Sequence, residues 1–161
     1  MEVEMKVKSL MMDPVTQMPI VVLRDPSGDS LLPIWVGLFE ANAIALQLEN
    51  IPTPRPMTHD LLRAVLASMD AEVERIVITD LKENTFYASV QLRYNGRQLS
   101  VDSRPSDAIA LALRTDAPIF VNKGVIDRAS KSESGQDAAE SERLRRWLER
   151  LDPSDLGKYE N

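Results

Sequence analysis

Seven stretches of this chain read as β-strands, six of them in two groups of three with helical segments after each group. In the first group EVEMKVKSLMM alternates with period two, which places Val3, Met5 and Val7 on one face as a half-buried strand requires. Asp13-Pro14 ends it, QMPIVVLRD and SLLPIWVG follow, and DPSGDS between them carries turn chemistry, giving an antiparallel opening. The second group is EVERIVITD, NTFYASVQLRYN and RQLSVDS. Asn95-Gly96 between its last two members is the strongest hairpin signal in the chain. With the further strand APIFVN, the expected class is α+β: a mixed, largely antiparallel sheet packed with about three helices.

The helices are marked by a change of period. FEANAIALQLEN places Phe39, Ala43, Leu46 and Asn50 along one side, with Ile44 and Leu48 widening the apolar stripe. IPTPRPM holds three prolines and cannot continue that helix, so it reads as a rigid connection to Thr58, the expected N-cap of HDLLRAVLASMD. In the third helix Pro105 suits the first turn, where a missing N–H costs nothing, and the alanines of SDAIALALR let the backbone approach its neighbours closely. These elements form a domain over residues 1–129. SKSESGQDAAES is polar and small and reads as a flexible linker, 130–141. Residues 142–161 hold an amphipathic helix, with Leu144, Trp147, Leu148 and Leu151 on one face and Arg143, Arg146 and Arg150 on the other. That face is expected to dock on the chain's own core, on a second copy, or on a protein partner.

The absence of cysteine excludes disulfides, thiolate zinc sites, iron–sulfur clusters and cysteine nucleophiles. A single histidine excludes metal sites built on two imidazoles, and the six glycines stand apart, so no glycine-rich phosphate loop exists. A net charge of −6 works against a broad basic groove for nucleic acid, so any such binding needs a local device such as a divalent cation held by clustered carboxylates. No run of about 20 apolar residues occurs, and Met1 leads straight into charged alternation. The expectation is a cytoplasmic protein with no membrane partner.

Candidate chemistry sits where helices begin. Glu40 lies near the start of the first helix, Arg55, Thr58, His59 and Asp60 before or in the start of the second, and Asp102, Arg104, Ser106 and Asp107 around the start of the third. Each group also has a plain structural role: Thr58 as a cap, Asp60 and Asp107 complementing a helix dipole, Arg104 pairing with Asp102 or Asp107. In the chemical reading Glu40, Asp102 and Asp107 hold Mg2+ or Mn2+, Arg55 and Arg104 bind phosphate oxygens, with Thr58 and Ser106 beside them, and His59 moves a proton with Asp60 and Asp107 as its catalytic companions.

Taken together, PIWVGLFEANAIALQLEN, PRPMTHDLL, FYASVQLRYNG and DSRPSDAIALALRTDAPIFV resemble the bifunctional nuclease domain family across residues 3–129. The resemblance implies an α+β domain around a mixed sheet, self-association into a homo-oligomer, and, from plant members, hydrolysis of both DNA and RNA. It carries over the signature positions Glu40, Arg55, Thr58, His59, Asp60, Asp102, Arg104, Ser106 and Asp107. The expected function is a metal-assisted nuclease. The alternative is a noncatalytic regulatory or partner-binding module whose polar clusters are structural.

Overall fold

The structure, a computed structural model, describes residues 1–136 together with Arg146. The elements run β1 (Glu2–Met12), β2 (Pro19–Arg24), β3 (Leu31–Trp35), α1 (Leu38–Leu48), α2 (Thr58–Ser68), β4 (Glu72–Lys82), β5 (Thr85–Tyr94), β6 (Arg97–Ser103), α3 (Pro105–Thr115), β7 (Ile119–Asn122) and α4 (Lys123–Gln136). The strands make a seven-stranded sheet in the order β3-β2-β1-β7-β4-β5-β6. Every neighbouring pair is antiparallel except β4 and β7, which run parallel. The class is therefore α+β with a mixed sheet.

β1 ties the two strand groups together. Its residues Glu2 to Met5 pair with β7, its residues from Lys6 onward pair with β2, and a register shift between Val7 and Ser9 lies on the β2 side. An extra residue of this kind bends a strand and increases its twist. At the β5–β6 hairpin Asn95 and Gly96 both take positive φ, 50° and 73°, as a tight two-residue hairpin turn demands.

The pleat and register put Val73, Ile76 and Ile78 of β4, Ala88, Val90 and Leu92 of β5, and Ile119 and Val121 of β7 into one buried cluster. α3 lies on this face. Its Ala108, Ile109, Ala110, Leu111 and Ala112 are all buried, and both α1 and α2 pack against it. α1 buries Ala41, Ala43, Ile44 and Ala45, so the expected stripe is inward at Ala43 and Ile44, whereas Phe39, at 86% exposed, falls outside the contact. Close contact with an alanine-rich helix selects small side chains for the contact face and leaves large ones to point away.

α2 departs from expectation at its start. Met57 is the N-cap, Thr58 is the first helical residue and is exposed, and the Met57 N–H donates to Asp60 Oδ2 at 3.0 Å. The cap bond comes back from the third residue of the helix, so Thr58 has no capping role. His59 is the buried residue of α2, whereas Leu61, Leu62, Val65 and Met69 are exposed.

One side chain braces the three helices. Arg114, with its side chain 2% exposed, donates from Nε to Asp60 Oδ1 at 2.7 Å, from Nη1 to the Ala110 carbonyl at 2.9 Å and from Nη2 to the Ala43 carbonyl at 2.9 Å. Its guanidinium thus spans α1, α2 and α3. α4 packs on β4 and β7, with Val125 buried and Arg128 paired to Asp80 at 2.7 Å. Because α4 continues through Gln136, residues 130–136 of the expected linker are helical. The remainder of that linker and the tail helix over 142–161 lie outside the described residues, Arg146 excepted. Among the described residues no helix is long and apolar enough to cross a membrane.

Two outcomes follow from the brace. Replacing Arg114 with Met leaves the partly exposed Asp60 without its cation and the Ala43 and Ala110 carbonyls without a donor, and is expected to lower stability by about 1–3 kcal/mol in urea unfolding, with Arg114→Lys recovering only part, because an ammonium cannot reproduce the three-way fork. The Met57 N–H, and after it Arg114, hold the Asp60 carboxyl below its ordinary range against the opposing effect of burial. A depressed carboxyl contributes stability above the unfolded pKa of about 3.9 and loses it as pH falls through the lower folded value. The stability gap between wild type and Asp60→Asn should therefore be widest near neutral pH and narrow below about pH 4; a gap that stays constant to pH 2 would contradict it.

Candidate active site

Glu40, Asp60 and Asp107 each stand third in their helix, after Leu38-Phe39, Thr58-His59 and Pro105-Ser106. None of the N-caps, Gly37, Met57 or Arg104, donates or accepts a capping bond through its own side chain. The acids are placed where the partial positive charge of a helix start favours them. Tertiary packing then divides them between two networks.

The first network is a continuous run of four side chains from three separate segments. His59 Nε2 lies 2.9 Å from Asp107 Oδ1. Arg104 Nε donates to Asp107 Oδ2 at 2.9 Å, and Arg104 Nη2 donates to Glu40 Oε1 at 2.6 Å. Because a carboxylate only accepts, Nε2 carries the proton at this contact, and Nδ1 is the ring nitrogen left to accept in the corresponding neutral tautomer. The exposures are graded: His59 9%, Glu40 17%, Asp107 32% and Arg104 66% for the side chains. Glu40 first and Asp107 second push the Arg104 guanidinium above its ordinary pKa, so it is a permanent cation facing solvent. The second network is the Arg114 brace, in which Asp60 is paired with Arg114.

The remaining expected site residues lie apart from the run. Asp102 sits on β6 opposite Ser89, so the pleat turns it to the sheet face away from Ala88, Val90 and α3. Of the two pairings expected for Arg104, the one with Asp107 forms. Arg55 is exposed in the proline segment and its side chain has no partner among the described residues. Thr58 is exposed, and Ser106 is buried at 6% in the first turn of α3. Sequence reasoning missed Arg114. Its signal was a charge inside the apolar run AIALALR, four residues after Ala110 and seven after Asp107, hence on their side of the helix. A cavity of about 430 Å3 opens near the far end of α3, lined by residues including Met5, Leu48 and Asp116, and contains none of the run.

The three carboxylates expected to share an ion are not gathered. Among the described residues no three His, Asp or Glu side chains are grouped as metal ligands. Glu40 and Asp107, which do approach each other, enclose Arg104 between them. This donor set fits a guanidinium and does not fit Mg2+ or Mn2+.

Gly37 sets the position of Glu40. A Cβ on Gly37 would stand 2.3 Å from Glu40 Oε2, so the carboxylate folds back over a space only glycine leaves open. Gly37 has φ −70° and ψ 157°, which any residue adopts, so Gly37→Ala should cost no more than about 1 kcal/mol in folding. It should nonetheless displace Glu40 and release its hold on Arg104, read as a shift of the Arg104 Nε–H resonance in NMR; an unmoved resonance would mean Glu40 is placed by something else.

The family model for the bifunctional nuclease domain matches residues 21–134. An uncharacterized protein of Mycobacterium tuberculosis is 36% identical over 162 residues, covering 95% of this chain and 97% of the relative. Bifunctional nuclease 1 of Oryza sativa subsp. indica is 31% identical over 109 residues, 66% of this chain and 33% of that protein. Bifunctional nuclease 1 of Arabidopsis thaliana is likewise 31% identical over 109 residues, 65% of this chain and 34% of that protein. The chain is thus matched along about a third of the length of these plant relatives. With its matched segment extending from β2 into α4 and including the whole His59–Asp107–Arg104–Glu40 run, this chain belongs to the bifunctional nuclease domain family.

Proposed function

We propose that this chain hydrolyses phosphodiester bonds of DNA, RNA or both at the run His59–Asp107–Arg104–Glu40. The observation that carries the reading is the exposed, doubly paired Arg104 next to a histidine whose tautomer is fixed by a carboxylate. The plant relatives named as bifunctional nucleases support the same direction. Arg104 presents Nη1 to solvent chemistry, since Nε and Nη2 are the atoms engaged by Asp107 and Glu40. A nonbridging phosphate oxygen would be bound there and would compete with Glu40 for the guanidinium. His59 Nδ1 would take the proton of the attacking water, and Asp107 would stabilise the imidazolium that forms.

A second reading has its own support. Leu61, Leu62, Val65 and Met69 leave an apolar row exposed along α2, the helix that carries His59. Such a row suits self-association or a protein partner, and it would serve a noncatalytic module equally well.

The two readings separate in one experiment. Single- and double-stranded DNA and RNA are incubated with purified protein, with EDTA and with added Mg2+ or Mn2+. Wild type is expected to cleave, to keep cleaving in EDTA, and to lose at least about 100-fold in kcat/KM in His59→Gln and in Asp107→Asn, the size of effect typical of a positioned acid or base. Absence of cleavage by wild type under every condition, with Leu61→Glu abolishing self-association in sedimentation, would leave the partner-binding module as the function.

A further inference from the structure

Phe39 is 86% exposed, more than any other large apolar side chain of the described residues except Met1 at 90%. Nothing in the packing of α1 uses it, because that helix meets α3 through Ala41, Ala43, Ile44 and Ala45. Its position is specific: it immediately precedes Glu40, whose carboxylate holds Arg104 Nη2 at 2.6 Å. An unburied ring is therefore carried one residue along α1 from the carboxylate that holds a solvent-facing guanidinium, itself 66% exposed. A planar apolar surface and a fixed cation linked through one carboxylate residue complement one chemical unit in particular, a nucleotide with its base free to stack and its phosphate free to pair.

We propose that Phe39 is the stacking platform for an unpaired nucleobase adjoining the phosphate at Arg104, so that the site selects single-stranded nucleic acid. The inference rests on the nuclease reading above and names its substrate class. A duplex keeps its bases stacked inside and offers no free π-face along its length, whereas a single strand can turn one out onto the ring. The overall charge points the same way. At a net −6 the chain repels a polyanion at long range, so recognition depends on short-range contacts, and stacking is one that does not require a basic groove. With Arg104 as the main phosphate contact, binding should fall only gently with salt, with a log–log slope near −0.7 for a single strand.

The test measures anisotropy of a fluorescein-labelled single-stranded oligonucleotide and of the matching duplex, in the His59→Gln background so that cleavage does not intervene. Phe39→Ala is expected to weaken single-strand binding by about 5- to 150-fold, with duplex binding changed less than 2-fold, and Phe39→Trp to restore it. With His59 intact, the same Phe39→Ala change should raise KM on single strands and leave kcat nearly unmoved. Equal single-strand affinity in Phe39→Ala, an equal loss on both substrates, or a change in sedimenting mass, which would make Phe39 a contact between copies, overturns the proposal. Wild-type cleavage alongside unchanged Phe39→Ala binding sinks the stacking role alone. Absence of wild-type cleavage sinks the nuclease reading, and the anisotropy comparison then still decides whether Phe39 holds a base.

Discussion

The architecture turns on a guanidinium sealed between three helices. Arg114 satisfies a carbonyl of α1, a carbonyl of its own helix and a carboxylate at the start of α2, with a side chain only 2% exposed. A buried cation is tolerated when its donors are matched, and this one is matched on three sides. The brace adds a polar tie to the docking of α2 on α3. α2 buries His59 and packs Leu66 on the core but turns Leu61, Leu62, Val65 and Met69 to solvent, so few apolar contacts hold it. His59, adjacent in the chain to the Asp60 held by Arg114, lies 2.9 Å from Asp107.

That arrangement divides labour between acids that look equivalent. Glu40, Asp60 and Asp107 occupy the same place in their helices and answer to the same helix-start electrostatics. Asp60 is consumed by structure, with one oxygen on the Met57 N–H and the other on Arg114. Glu40 and Asp107 converge on Arg104, the more exposed of the two arginines and the one a substrate can reach. The buried arginine supports the scaffold, and the exposed one is available for binding.

Much of the fold was legible before any coordinates. The alternating strands, the Asn95-Gly96 hairpin, Pro105 at a helix start and the alanine-rich core helix all stand where local chemistry places them. Local rules failed in three places, each for a tertiary reason. Thr58 looked like a cap, but α2 begins at Thr58 itself, with Met57 as the N-cap and its N–H donated to Asp60 Oδ2. Phe39 matched an apolar stripe, but the contact with α3 required alanines. Residues 130–136 looked too polar and small for a helix, yet they extend α4 beyond the turns anchored by Val125 and Arg128.

The sequence by itself determined the class of fold, the three helix starts as the places where charged residues gather, and the identities of His59, Arg104, Asp107 and Glu40 as members of a candidate site. Those are consequences of period, capping chemistry and composition, which act over a few neighbouring residues. Only the tertiary structure decided which acids meet. Asp102 lies one residue from Ser103, yet the strand pleat sends it to the other face of the sheet, while Glu40, 64 residues from Arg104, comes within 2.6 Å of it. Contact across such separations is set by how α1 and α3 pack on one another, and no local pattern encodes that geometry.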